Sequence, residues 1–295
     1  MRVPPDADGQ RLDVYLAAHA GSRAAAQKLI DAGLVTVDGT ARPKRHVVRA
    51  GEEVSVGEDV REAAASDVPP AEFAVAYEDD DVLVIDKPAG VVVHPGSGYR
   101  HGTLVQALGD RVAGGDDPVR PGVVHRLDRD TTGLLVLARN AAAHAALGDQ
   151  IRARSVTREY LALVEGRPPA RAGTIDAPLG RDRRRRTRMS SDTDDPREAV
   201  THFELVEALR EASLLRLRLE TGRTHQIRAH LLAIGHPVLG DPEYGGVGGG
   251  GLRLERQFLH AARLAFDHPV SGKRLDLESP LPPDLEAALL TSRAQ

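Results

Sequence analysis

An α+β architecture is the fold class this sequence predicts: a larger domain with a central mixed or antiparallel sheet and flanking helices, preceded by a small α/β module. Three observations carry that expectation. Apolar strand-like runs neighbour one another with helices interspersed, not in the regular strand–helix–strand alternation of a doubly wound fold. Residues 58–71 combine acids, three consecutive alanines and Pro69-Pro70 without an apolar period, and read as a linker. The 295 residues, 41% of them hydrophobic, suffice for one large core and one smaller core.

Within the small domain, residues 10–57, Ser22 is placed to cap a helix whose stripe is Ala26, Leu29 and Ile30 and whose stop is Gly33. Val35 and Val37 alternate before the turn pair Asp38-Gly39, and His46–Val48 and Val54–Val56 read as further strands. The second domain, residues 72–295, opens with the strand run Val82–Ile85 and a turn at Lys87-Pro88-Ala89-Gly90. Val123-Val124 and Leu134–Leu137 flank a charged turn, and Asn140 caps a helix presenting Leu147 and Ile151. Tyr160–Val164 is a strand, and Leu215, Leu217 and Leu219 alternate with arginines as a half-buried one. Thr224 is expected to cap a helix with the stripe Ile227, Leu231 and Ile234 and a stop at Gly235. Gly245–Gly251 is a flexible loop that lacks the Lys-Ser/Thr of a phosphate cradle.

Composition narrows the function classes. The chain has no cysteine, which excludes disulfides and thiolate metal sites. Its start lacks the apolar core of a signal peptide, and its apolar runs are too short to span a bilayer, so a cytoplasmic protein without membrane association is expected. The net charge of -4 hides a local contrast: Arg181–Arg188 carries a net +5 and Asp192–Glu198 a net -3. That basic block is either a phosphate-gripping loop or a solvated loop neutralised by its acidic neighbour.

The most informative stretch is His125-Arg126-Leu127-Asp128-Arg129-Asp130-Thr131-Thr132-Gly133-Leu134. A surface turn gains little from such alternating charge, whereas an active site at a strand end needs a carboxylate held there by cations. Two further segments are Arg158-Glu159-Tyr160 and Thr221-Gly222-Arg223-Thr224-His225-Gln226-Ile227-Arg228. In the latter, Arg223 precedes a helix N-terminus, where a cation opposes the dipole unless an anion, Asp128 or an RNA phosphate, is shared there. A turn whose arginines are merely solvated, and a tyrosine that merely packs in a sheet, are the plain alternatives.

Together these segments resemble the RluA-type RNA pseudouridine synthases, and residues 10–57 resemble the S4 RNA-binding domain. The resemblance implies that Asp128 is the essential residue, Tyr160 the active-site tyrosine and Arg223 the basic partner of the aspartate. It further implies that Arg126 enters the RNA where the target base was, while Tyr160 packs against the extruded uracil. Asp86 stands where the family has Asn, and His94 reads as structural. In the S4 module, Arg23, Lys28, Arg42, Lys44 and Arg45 would face phosphates. The implied substrate is RNA, within the family most like the branch that modifies helix 69 of 23S rRNA, and the implied acting species is a monomer. Isomerisation conserves oxidation state, so no cofactor is implied, and no dense His/acid cluster suggests a metal. Two rivals stay open: a catalytically idle RNA-binding or ribosome-assembly protein, and a nucleoside or glycoside hydrolase, which released uracil would reveal.

Overall fold

The computed structural model describes residues 1–20, 23–31, 33–56, 73–96, 99, 101–245 and 254–294, with the side chains of 24, 25 and 28 outside that description. The chain divides into two compact units, Met1–Val68 and Pro69–Gln295. The proposed linker 58–71, the Ser22 cap and most of the Gly245–Gly251 run lie outside the described residues.

The first unit holds helices α1 (Leu12–Tyr15), α2 (Ala17–Ala20) and α3 (Arg23–Asp31) and strands β1 (Val35–Val37), β2 (Thr40–Ala41) and β3 (Val54–Val56), the strands in the order β2-β1-β3. Asp38 and Gly39 both take positive φ, at 48° and 75°, which gives the tight β1–β2 hairpin its twist. Its core combines the expected Ala26, Ile30, Val35, Val37, Val48 and Val54 with Val3, Ala7, Leu12, Tyr15 and Leu16, and Leu29 packs against it partly buried. The strand expected at His46–Val48 is instead an isolated bridge from Val47 to Arg11.

In the second unit, β4 (Ala74–Glu78) and β5 (Val82–Lys87) lead to helix α4 (Leu104–Leu108), then β6 (Thr132–Ala138), α5 (Ala141–Arg152) and β7 (Thr157–Glu165). Strands β8 (Ala172–Asp176), β9 (Gly180–Arg181), β10 (Met189–Ser190), β11 (Val200–Ala208) and β12 (Ala212–Leu219) precede α6 (Gln226–Ala233). Strands β13 (Leu259–Asp267) and β14 (Arg274–Glu278) and helix α7 (Pro283–Arg293) complete it. The sheet runs β4-β5-β6-β13-β7-β12-β11-β8, with β14 on β13; β6–β13 is parallel and the other pairings antiparallel, the mixed sheet expected.

Around β5 and β6 both faces of this sheet are covered. Leu83, Ile85, Leu135 and Leu137 enter one core, with Tyr160, Leu217 and Leu285. The alternate residues Val82, Val84, Leu134 and Val136 enter the other, under Leu147 of α5. Strand β6 is therefore buried at every position, which explains its unbroken apolar run. Asn140 caps α5 by accepting from the Ala143 amide at 2.8 Å. Two local expectations change. Val123 forms only a bridge to Leu137, so Asp128 follows an irregular segment and not a strand. The N-cap of α6 is His225 at φ 52°, not Thr224, because the Gln226 side chain accepts from the Arg223 amide at 2.9 Å and draws the preceding turn tight.

Candidate active site

Asp128 sits at the start of a turn closed by the Thr131 amide donating to the Asp128 carbonyl at 3.2 Å. The turn is fixed from below. Lys87, fully buried, donates from Nζ to the carbonyls of Pro88, Val91 and Arg129 at 2.7, 2.9 and 2.8 Å. Burial pushes its ammonium down to about 7, and the three carbonyls match the three N–H donors that only the charged form has. Arg256 donates to the Asp130 carbonyl at 3.0 Å while gripping Asp284, and Gln257 reaches Thr131 Oγ1 at 3.3 Å. Gly133 follows at φ 109°, and a Cβ there would lie 2.3 Å from the Ala261 carbonyl oxygen, so only glycine lets β6 and β13 meet beneath the turn.

The charges around Asp128 are sorted by this geometry. Arg129 turns outward to the Asp130 carboxylate and donates to the Tyr99 hydroxyl at 2.5 Å. Asp128 lines a cavity together with His125, Arg158, Tyr160, Arg223 and Arg228. Its described hydrogen-bond partner is Arg228, whose NH1 donates to Oδ2 at 3.2 Å. The cation paired with Asp128 is thus Arg228 and not Arg223. Arg223 lies exposed at the rim and donates from Nε to the Glu198 carbonyl at 3.0 Å. The difference is helical phase: residue 223 precedes the helix, whereas residue 228 projects from its first turn.

Arg228 is itself held firmly. It donates to both oxygens of Asp241, at 2.6 and 2.9 Å, and its guanidinium lies 4.8 Å from the Tyr244 ring centroid. Burial works against its charge, but Asp241 and Asp128 outweigh that and raise its pKa above the ordinary value. Burial likewise opposes ionisation of Asp241, and the Arg228 bonds overcome it and hold that carboxyl low. The Asp241–Tyr244 turn is absent from the sequence reading; its signal was the acidic Asp-Pro-Glu that closes the apolar Val238-Leu239 stretch.

Tyr160 is buried on β7, opposite Leu217 of β12 and Ala261 of β13. Burial pushes its phenol up to about 12, so at neutral pH the hydroxyl stays protonated. Burial pushes His125 down to about 3; its Nε2 accepts from the Val136 amide at 3.2 Å, which leaves the proton on Nδ1. Arg126 is exposed at the rim, and its NH1 contacts His94 Nε2 at 3.4 Å while His94 Nδ1 donates to the Pro95 carbonyl at 2.9 Å. The structure therefore brings Asp128 and Tyr160 into one cavity, with Arg126 and Arg223 at its edge.

The remaining expected residues divide. In the first unit, Arg23 donates to buried Asp13 at 2.9 Å and Lys44 to Asp31 at 3.0 Å, whereas Arg42 and Arg45 make no ion pair among the described residues. The Lys28 side chain lies outside the description. The arginine-rich block forms the β9–β10 hairpin: Arg183 pairs with Asp192 and Asp194, so its acidic neighbour does neutralise part of it. One group with metal-ligand character exists among the described residues, Asp79, Asp81 and His268. There His268 Nδ1 accepts from the Val270 and Ser271 amides at 3.3 and 3.1 Å, which places the ring proton on Nε2, donated to Asp79 at 2.8 Å. The one ring lone pair in that state, on Nδ1, is taken by the two amides.

Residues 81–233 match the family described as RNA pseudouridylate synthase, and residues 10–60 match the S4 domain. The chain belongs to the RNA pseudouridylate synthase family. This synthase is 45% identical to the ribosomal large subunit pseudouridine synthase D of Xanthomonas campestris pv. campestris, over 99% of this chain and 91% of that protein. It is 43% identical to the RNA pseudouridine synthase YlyB of Bacillus subtilis, over 94% and 92% of the two chains. Among solved structures it resembles human RNA pseudouridylate synthase domain containing 1, with a TM-score of 0.59 and 30% identity across 74% of this chain and 87% of that one. As a member of the family the synthase is an isomerase acting on RNA, and among the described residues no helix is long and apolar enough to cross a membrane.

Proposed function

We propose that this synthase isomerises specific uridines of 23S rRNA in the helix 69 stem-loop, with Asp128 as the reacting carboxylate and the target base turned out of the RNA. The observation that carries the reading is the state of Asp128: the backbone that follows it, at Arg129 and Asp130, is held by Lys87 and Arg256, and its carboxylate accepts from Arg228 at 3.2 Å in a cavity also lined by Tyr160. A carboxylate so held reacts with the substrate without first reorganising its surroundings. The N1–C1′ bond breaks, the uracil turns while the cavity retains it, and C5 bonds to C1′; the C5 proton leaves and N1 gains one, so composition and redox state are unchanged.

The order of steps within that sequence follows from whether Asp128 attacks the sugar, attacks the base or promotes elimination, and all three use the same held carboxylate. Tyr160 packs against the detached uracil, and exposed Arg126 fills the place the base leaves, offsetting an unstacking cost of about a few kcal/mol. The large-subunit target is supported by relatives named for that particle and by the S4 match. The enzyme acts as a cytoplasmic monomer, and Arg42 and Arg45, without an ion pair among the described residues, contribute phosphate contacts. Pseudouridine mapping in ribosomal and transfer RNA from cells with and without the gene tests the target. Loss of helix 69 pseudouridines in the deletion strain is expected; loss at tRNA positions alone would reassign it, and released uracil in vitro would replace isomerisation by hydrolysis.

A further inference from the structure

Arg158 and Arg228 are equally buried, each 5% exposed, yet their surroundings are opposite. Arg228 has three carboxylates, those of Asp128, Asp241 and Glu243, and an aromatic face. Arg158 makes one described hydrogen bond, from NH2 to the Glu220 carbonyl at 3.1 Å, and its Nε is buried without a partner. Acids nearby are committed elsewhere. The Glu220 carboxylate takes His202 and Arg154, both at 2.6 Å, and Glu159 takes Arg263 at 3.2 Å. Burying an uncompensated guanidinium is costly, and such a charge is retained where a counter-ion arrives with a ligand.

The site around it is open on the side that matters. Arg158 stands two residues before Tyr160 on β7, so both side chains project from the same face. Arg158 and His125 line both the catalytic cavity and a neighbouring groove of about 490 Å³. NH1 of Arg158 lies against Gly222, where a Cβ would come within 2.9 Å, so the glycine leaves room beside that nitrogen. His125 adds a second unused donor, since its Nδ1 carries the proton and is likewise buried without a partner.

We propose that Arg158, assisted by the Nδ1–H of His125, is the anchor for an RNA phosphodiester at the target nucleotide, seated where the catalytic cavity meets the groove. A neutral uracil carbonyl would satisfy a donor but leave the charge unmatched; a phosphodiester supplies both the acceptor oxygens and the missing negative charge. The anchor fixes the backbone while the base enters beside Tyr160, which makes Arg158 a binding residue distinct from the reacting carboxylate. The inference rests on the uridine-isomerising reading of the cavity and is independent of which RNA is the target.

The test uses full-length R158M and R158K and total RNA from cells lacking the gene, following the reaction at whichever uridine the wild type converts. Absence of helix 69 conversion therefore overturns the target assignment alone. R158M is expected to raise the half-saturating RNA concentration about ten- to a hundredfold, with the loss falling on saturation more than on the single-turnover rate. It should also lower the slope of log affinity against log salt by roughly 0.7 to 0.9, the value of one phosphate contact, and R158K should restore that slope. The melting temperature of the free R158M protein should not fall, because among the described residues the removed charge has no carboxylate partner. A reduced single-turnover rate with unchanged saturation and slope would overturn the inference in favour of charge stabilisation on the detached base. A lowered melting temperature with normal saturation would overturn it in favour of a framework role.

Discussion

Two aspartates, one in each unit, differ in the number of donors around the carboxylate and so in what each has left to offer a substrate. Asp13 in the first unit is fully buried and accepts from Arg11 at 2.9 and 3.2 Å, Arg23 at 2.9 Å and Gln27 at 2.7 Å. Both its oxygens are engaged, and the Arg11 hydrogen bond above all holds its carboxyl well below the usual carboxylate range. Asp128 has a side chain 16% exposed, one described hydrogen bond to a guanidinium, and a cavity before it. The Asp13 carboxylate, with four donors, three of them on Oδ2, fastens α1 to α3 and faces no solvent. The undersaturated one is positioned by its backbone and one cation, which leaves oxygen capacity for a substrate.

The strongest way to break this contrast is D128N. It is expected to lower isomerisation by at least on the order of a thousandfold while the melting temperature changes little, since the residue is in a turn and not in the core. Activity within tenfold of wild type would remove Asp128 from the chemistry.

R228M comes next and acts on both stability and rate. It strands the buried Asp241 carboxylate, and breaking such a pair costs about 3–5 kcal/mol, read as a lowered denaturant midpoint. R228K keeps the charge but loses the two-pronged grip on Asp241, so it should recover stability in part and rate less. R223M sharpens the same point from the other side. Because exposed Arg223 gives up one bond to a backbone carbonyl, its rate at saturating RNA should stay within about tenfold, far above that of R228M. Equal losses in the two variants would return the aspartate-pairing role to Arg223.

D13N has the smallest effect on catalysis. It should destabilise the first unit by about 1–3 kcal/mol and leave the saturated rate near wild type. The sign of its pH dependence follows from the depressed folded-state pKa. The stabilisation is fully present above the unfolded carboxyl value near about pH 4 and is lost as pH falls through the lower folded value. Acid unfolding of the first unit followed by circular dichroism should therefore lose that component in D13N; an identical acid transition in both proteins would show that the cluster around Asp13 contributes nothing.

Short-range patterns made much of the fold legible. Alternation in Leu215–Leu219, the Asp38-Gly39 turn and the Asn140 cap each depend on neighbours within a few residues, and the structure has them all. Asp128 and Tyr160 were legible as a site through their motifs, and both line the cavity. The isolated bridge at Val47 was not legible, because whether a short valine run becomes a strand depends on a distant partner to complete its ladder.

By itself the sequence determined the family, the α+β class and the RNA-directed isomerase chemistry, and it singled out the charged turn at Asp128 as the candidate site, because each is written in contiguous residues whose types the chemistry requires. Only the tertiary structure decided which arginine serves which anion. Residues 158, 223 and 228 are alike as letters. One lies on a strand against a glycine, with no carboxylate partner among the described residues, one is turned out before a helix, and one is clamped between Asp128 and an aspartate from another loop. Charge pairing depends on distances of a few ångströms between segments as many as a hundred residues apart, and that information exists only once the chain has folded.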